Sequence, residues 1–514
     1  MNRPANQDLR FEYIQALCQA IETFTGNAEA QDPNAFKYRG VNLKFAVERF
    51  LYLSFVDDEQ LYDLFCQDQQ GNPPEIVKFN QKLEKELALY LCGESVAQNR
   101  LEVRQKISLL APLRHLKKWA KSWARFLLRQ LNPTTELEPV QATVLIWVDH
   151  PKFVRYMRPI TDALPVSYAY LLLRKPERRE IKPFLVEQEM PFVDLAELNV
   201  SSKGKAPKGA LASFRSFVTL CDRLIASLKQ LNPQCLVVVE GNHPPDEVIN
   251  QVGKQLSIPT VCLQQGWSPI VHNGFRNMSY TKMLVWGEGF AELLQPYNPN
   301  QRFVATGSHI VNTERFAGEL SEALPRRGIS FFLQSPRKLG SQSSWEELLK
   351  LINYTAIEFR EVPILVREHP SYPLPEQERN DLLNAENVQL VPPGSYSLAE
   401  ILNASCLAVT IFSTTILESI AAGVFPLIFN VTSMPSYYPD VAATGAAVEV
   451  KSIDEAMPVI RSVLTDVEYC QKVQTAATQF KAKYFYQDSQ KPVEHIVKEI
   501  TELCDRQAKS KLAN

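Results

Sequence analysis

The chain has 514 residues, room for two or three domains, because single cores stop growing near roughly 250–300 residues. A formal net charge of −2 excludes a polyanion partner recruited by overall charge, so no nucleic acid is expected and any basic surface is local. Nine scattered cysteines without a Cys-x-x-Cys pair exclude a regular zinc or disulfide framework and read as buried thiols of an intracellular protein.

The first residues lack the basic-then-apolar layout of a secretory leader, and no run reaches the roughly 18 apolar residues of a spanning helix. A cytoplasmic protein is expected, with a peripheral place on the inner face of the plasma membrane left open. Residues 1–135 read as a helical N-terminal region, since apolar residues recur at three and four in Phe11, Ile14, Cys18, Ile21 and again around Phe45, Phe50, Leu51 and Leu53. Asn72-Pro-Pro74 interrupts it, and the segment 132–139 ends it. Within it, residues 113–131 place Leu116, Trp119, Trp123, Leu127 and Leu131 on one helical face, with six lysines and arginines mostly elsewhere. The pattern fits a helix lying on an anionic bilayer, and it equally fits one packed on the next domain with its lysines solvated.

From residue 140 the pattern becomes strand, loop, helix. Apolar runs at 142–148, 166–172, 192–195, 235–239, 260–263, 283–286 and 303–306 predict strands, and 211–231 and 246–256 predict helices between them. A first Rossmann-like unit is therefore expected over 140–310. A second, over 325–450, has strands at 329–333, 364–366, 388–391, 407–411 and 425–429, with helices at 344–360, 397–404 and 415–422 and Gly423 as a C-cap. The tail 453–514 is helical and is expected to run back over the first unit. The fold class is thus α/β, two Rossmann-like domains facing across a cleft after a helical region.

Ligands of such sheets gather at the carboxyl ends of the strands. In the first unit these ends carry Asp149-His150, Glu240-Gly-Asn-His243 and Gln264-Gln-Gly266; in the second, Ser335-Pro-Arg337, Arg367-Glu-His-Pro370 and Ser413-Thr-Thr415. Ser413, Thr414 and Thr415 open a helix, where free N–H groups and the dipole favour a phosphate. Arg337 and Arg367 are candidates to bind a leaving phosphate in two-pronged fashion.

Arg367-Glu-His-Pro370 followed by Ser413-Thr-Thr415, Glu418, Gly423 and Pro426 resembles the C-terminal half of GT-B transferases of bacterial surface-polysaccharide synthesis. These are the CDP-glycerol glycerophosphotransferases, capsule Kdo transferases and bacterial sialyltransferases. Leu263-Gln-Gln-Gly266, Leu284-Val-Trp-Gly287 and Val304-Ala-Thr-Gly-Ser308 resemble the end of the N-terminal half, so the resemblance covers residues 235–430. It implies that His369 and Pro370, with Ser413, Thr414 and Thr415, hold the donor's phosphates and ribose, and that Glu418 contacts the sugar of the nucleotide. Many relatives place a histidine before the glycine where this chain has Gln265, and glutamine takes no proton at neutral pH.

The base that deprotonates an acceptor must then come from elsewhere on the first unit. Glu240 and His243 are the first candidates and Asp149 with His150 the second; Gln264, Gln265 and Gly266 line the acceptor side. A hydrogen-bonding or capping role competes for each of them. No Asp-x-Asp cluster or Gly-rich dinucleotide fingerprint occurs, so no metal and no cofactor beyond the nucleotide-activated donor is expected. The expected activity is transfer of a sugar or sugar-like phosphate unit, from a CMP- or CDP-linked donor, to a surface glycan or glycolipid. Two alternatives stand beside it: a nucleotide-sugar 2-epimerase or hydrolase of the same fold, and an inactive scaffold subunit of a polysaccharide assembly.

Overall fold

The run Val144-Leu-Ile-Trp147 is buried at every position and forms an interior strand of the first of two parallel sheets. The computed structural model describes residues 9–69, 76–92, 141–198, 209–266, 271–311, 327–334, 342–369, 372–411, 413–431, 439–485 and 491–513. The predicted helix at 113–131, together with Arg337 and Pro370, lies outside them.

Among the described residues, the N-terminal region contains four helices: α1 (Arg10–Gln31), α2 (Lys44–Phe55), α3 (Glu59–Gln69) and α4 (Val77–Cys92). A small hairpin, β1 (Lys37–Tyr38) and β2 (Val41–Asn42), interrupts them and was not expected from the sequence. Its two-residue loop puts Arg39 at φ 51 and Gly40 at φ 82, the left-handed pair of a tight hairpin turn. Arginine instead of asparagine before the glycine hides that turn from a composition-based reading. The layer is anchored where the Arg39 guanidinium and Tyr38 hydroxyl both donate to Asp222, at 2.8 and 2.9 Å.

The first α/β unit contains β3 (Val144–Trp147), α5 (Pro151–Ala163), β4 (Tyr168–Leu172), α6 (Lys175–Glu180), α7 (Lys182–Glu187), β5 (Phe192–Asp194), α8 (Arg215–Leu231), β6 (Cys235–Val239), α9 (Pro244–Gln255), β7 (Thr260–Leu263), β8 (Lys282–Val285), α10 (Glu288–Leu294) and β9 (Phe303–Ala305). Its seven strands are all parallel, in the order β5-β4-β3-β6-β7-β8-β9. The second unit contains β10 (Gly328–Phe332), α11 (Gln342–Glu358), β11 (Ile364–Arg367), α12 (Glu376–Leu383), β12 (Val388–Val391), α13 (Leu398–Asn403), β13 (Ser405–Thr410), α14 (Thr415–Ala422), β14 (Phe425–Phe429) and β15 (Val448–Val450). Its order is β12-β11-β10-β13-β14-β15, again parallel throughout. Both sheets start in the middle, wind outward one way for three strands and then reverse. Strand β15 and helix α12 escaped the sequence reading. The first is three residues at a sheet edge, and the second is a polar eight-residue helix with a single buried residue, Leu382.

Three helices follow: α15 (Ile453–Thr465), α16 (Val467–Tyr484) and α17 (Pro492–Ala513). Ala456 and Ile460 of α15 enter the core of the second unit with Ile364 and Val409. Helix α16 joins the units, Val473 packing in that core while Tyr484 meets the Phe290 ring at 5.3 Å and Phe485 meets Trp286 at 6.1 Å. Gly287 and Gly289 permit this approach, since a Cβ on either would strike Tyr484. Helix α17 then returns to the first unit, where Ile496, Ile500 and Leu503 pack with Val144, Met157 and Val237. The buried Lys282 ammonium pairs with Glu499 of the same helix. No described helix is long and apolar enough to cross a membrane.

Ile500 is fully buried in that core, so Ile500→Ala is expected to lower unfolding stability by about 2–5 kcal/mol in a denaturant titration. A loss well below this would mean that α17 is only loosely attached.

Candidate active site

In a sheet that reverses its winding, the loops leaving the two central strands go to opposite faces and open a crevice between them. In the first unit those strands are β3 and β6, and their ends carry the residues singled out in the sequence. After β3, His150 caps α5, its Nδ1 accepting the Lys152 N–H at 3.1 Å while the ring stays exposed. After β6, Glu240 and Gly241 take consecutive left-handed conformations, φ 64 and φ 69. Such a backbone costs a non-glycine residue about 1–3 kcal/mol, and here it aims the Glu240 carboxyl at Gly266 beyond β7. A Cβ on Gly266 would lie 3.2 Å from Glu240 Oε1. His243 caps α9 by donating its backbone N–H to buried Asp246 at 2.8 Å, and its Nε2 lies 3.8 Å from Asp149 Oδ2.

Burial pushes the Glu240 carboxyl above the usual carboxylate range; Asp149 adds to the shift and Lys152 opposes it. The same desolvation lowers His243, against the pull of Asp149 and helped by Arg174, Arg49 and Lys152. The result is a carboxyl that holds its proton more tightly than usual and an imidazole that releases its own more readily. Gln264 has a different task. Its carbonyl accepts from the Tyr156 hydroxyl and the Trp286 indole, both at 2.9 Å. Its amide accepts from the Trp286 N–H at 3.0 Å and donates to the Gly266 carbonyl at 3.2 Å, which fixes the Gln265-Gly266 turn. Gln265 is half-buried at that turn.

The second unit repeats the crevice between β10 and β13. Past β13, Ser413 Oγ accepts the Thr415 N–H at 3.2 Å and lies 3.0 Å from Thr415 Oγ1, while Thr414 is exposed at the start of α14. Gly423 ends that helix in the left-handed conformation, as the sequence indicates. Arg367, at the end of β11, is half-buried and loses affinity for its proton through desolvation, partly offset by the Glu418 carboxylate of α14. Glu368 turns away, accepting from Arg379 at 2.8 Å and from the Leu374 N–H at 3.2 Å. The His369 carbonyl accepts from the Tyr372 N–H at 3.0 Å, and the two rings stand 5.4 Å apart.

The sequence reading missed Lys152, Arg174 and Arg49, cations that surround the first crevice. Lys152 follows Pro151 at the start of α5, and Arg174 lies over the Trp147 ring at 5.5 Å. Arg49 comes from α2, and nothing in its local sequence distinguishes it from a solvated helical arginine.

No protein-family model and no curated protein matches the chain. Among solved structures, it is similar to S. aureus MnaA in complex with UDP, at 12% identity and a TM-score of 0.50 over 70% of this chain and 96% of that one. It is also similar to the UDP-GlcNAc 2-epimerase of Neisseria meningitidis bound to UDP-GlcNAc (14% identity, TM-score 0.47, 71% and 99% covered). A third is Acinetobacter baumannii MurG (13%, 0.42, 70% and 99%). The fold is the GT-B arrangement, in which two Rossmann-like units present their strand ends to each other across a cleft.

Gly241 has two reasons to lack a side chain, its positive φ and the Cys262 Sγ that a Cβ would meet at 2.5 Å. Gly241→Ala is expected to destabilise the protein by about 2–5 kcal/mol in a denaturant titration. A neutral result would mean that the turn is not held in this conformation.

Proposed function

With the GT-B arrangement as the starting point, we propose that the chain transfers a sugar, or a sugar-like phosphate unit, from a nucleotide-activated donor to the hydroxyl of a glycan or glycolipid. The observation that carries this reading is the pairing of two crevices with opposite chemistry. One, at Ser413–Thr415 and Arg367, suits an anion; the other, at Glu240, holds a carboxyl tuned towards a base.

In this reading the donor's phosphates rest at the start of α14, against the Ser413 and Thr415 hydroxyls and the positive end of the helix dipole; the N–H groups of residues 415–418, expected from the sequence to be free, already donate to Ser413 and Thr414. Arg367 neutralises the charge that develops on the leaving phosphate, and Glu418 and His369 bind the sugar and ribose. The acceptor enters over Gln265 and Gly266. Glu240 takes the proton of the acceptor hydroxyl as the acceptor oxygen bonds to the donor carbon, or to phosphorus where a phosphate unit moves, and the electron pair of the broken carbon–oxygen or phosphorus–oxygen bond leaves with the nucleotide phosphate. His243 and Asp149 hold the acceptor beside it. No group on this path requires a metal. The resemblance to surface-polysaccharide transferases suggests CMP or CDP as the nucleotide, and the MnaA complex adds UDP.

A thermal-shift screen against CMP, CDP, UDP and GDP is expected to raise the melting temperature for at least one pyrimidine nucleotide. Ser413→Ala with Thr415→Ala is expected to weaken that binding by about tenfold, near 1.4 kcal/mol. Unchanged affinity would remove α14 from the donor site. For turnover, Glu240→Gln is expected to lower kcat by about a hundred- to ten-thousand-fold with nucleotide affinity kept. Because Glu240 acts deprotonated, activity falls as pH drops through its raised pKa. Asp149→Asn removes a charge that raises it, so the acidic limb is expected to move to lower pH. Epimer or free nucleotide formed without any acceptor would instead favour a 2-epimerase or hydrolase.

A further inference from the structure

The turn that aims Glu240 is held from below by a charge that belongs to neither sheet. Arg49 extends from α2, in the helical N-terminal layer, and its side chain is only 1% exposed. One terminal nitrogen, Nη1, donates to the Gly241 carbonyl at 2.8 Å and approaches the His243 carbonyl at 3.4 Å. The other, Nη2, lies 3.0 Å from Glu247 Oε2 on α9, a carboxylate with no exposed surface. The Tyr280 hydroxyl donates to the same Gly241 carbonyl at 3.1 Å.

The left-handed pair Glu240-Gly241 turns this carbonyl inward, away from water, so it must find donors inside the protein. Arginine supplies them with a charge that is never titrated away, and its planar fork puts one nitrogen on a carbonyl and the other beside a carboxylate. Glu247 balances the buried charge, which would otherwise be prohibitive. Helix α2 is fixed over α9 by buried neighbours, Ala46, Val47, Leu51 and Phe55, so the guanidinium cannot drift.

We propose that Arg49 is a positioning residue, through which the N-terminal helical layer locks the Glu240-Gly241 turn and holds the Glu240 carboxyl over Gly266. The positional part stands on the geometry alone; its catalytic consequence rests on the reading of Glu240 as the base. The helical layer then becomes a working part of the acceptor crevice. Without Arg49 the turn relaxes towards ordinary backbone angles and the carboxyl swings off the acceptor, while the donor half of the cleft is untouched.

The test is the full-length double variant Arg49→Met with Glu247→Gln, which removes both buried charges at similar volume. Backbone hydrogen exchange over residues 240–243 is expected to quicken by about tenfold or more, a direct reading of local opening. Alongside it, kcat is expected to fall by about tenfold or more, with the donor KM changed by less than about twofold. Unchanged exchange and unchanged kcat would overturn the proposal. Should the double variant fail to fold, Arg49→Lys decides, since it keeps the charge but loses the fork. A folded Arg49→Lys protein with wild-type exchange and kcat contradicts the proposal, and raised exchange with lowered kcat supports it. Glu240→Gln in parallel separates the two ideas. If that variant keeps full activity while exchange quickens in the double variant, Arg49 holds the turn and Glu240 is not the base. If Glu240→Gln is inactive and the double variant matches wild type, Glu240 keeps its role and Arg49 loses its own.

Discussion

A parallel sheet that starts in the middle and winds outward in both directions cannot cover the carboxyl ends of its two central strands. The crossovers leave on opposite faces, and the gap between them is the place where backbone groups and polar side chains reach solvent without breaking a core. This protein meets the constraint twice, at β3–β6 and at β10–β13; Asp149, Glu240, His243 and Ser413 follow those strands, while Gln265 follows β7 and Arg367 ends β11, the strands next to the gaps. The GT-B arrangement turns the gaps towards each other, and α16 and α17 secure it by stitching the second unit back onto the first.

The two gaps then diverge in chemistry through burial rather than through charge count. At the second, the Ser413 and Thr415 hydroxyls at a helix start and a half-desolvated arginine carry the polar chemistry. At the first, desolvation works against the charged forms of both Glu240 and His243, raising one pKa and lowering the other. The left-handed Glu240-Gly241 turn is the local source of that asymmetry, because it points a carboxyl into the rim of the crevice instead of out to water. Cys262, Tyr280 and Arg49 crowd the inner side of the turn and leave it no other conformation.

The sheets were legible because strands covered on both faces read as unbroken apolar runs, and the residues just after them could be named from the same pattern. Ser413 and Gly423 behave as helix boundaries for the same local reason. Edge strand β15, polar α12 and the β1–β2 hairpin were not legible, being too short or too polar to carry a period. Gln264 looked like an acceptor-facing residue because it follows a strand, yet its amide and carbonyl are occupied by Tyr156, Trp286 and Gly266. Arg49 was invisible for a deeper reason: its partners lie almost two hundred residues away, and only the packing of α2 on α9 brings them together.

In the proposed function, one cleft joins a phosphate-binding helix start to a base on the facing unit. A crystal structure of the chain with its preferred nucleoside diphosphate or nucleotide sugar tests it most directly. Phosphate oxygens are expected within hydrogen-bonding distance of Ser413 and Thr415, with the sugar side of the phosphate turned towards Glu240. A nucleotide bound away from α14, or bound there with the sugar turned away from the first unit, would contradict it.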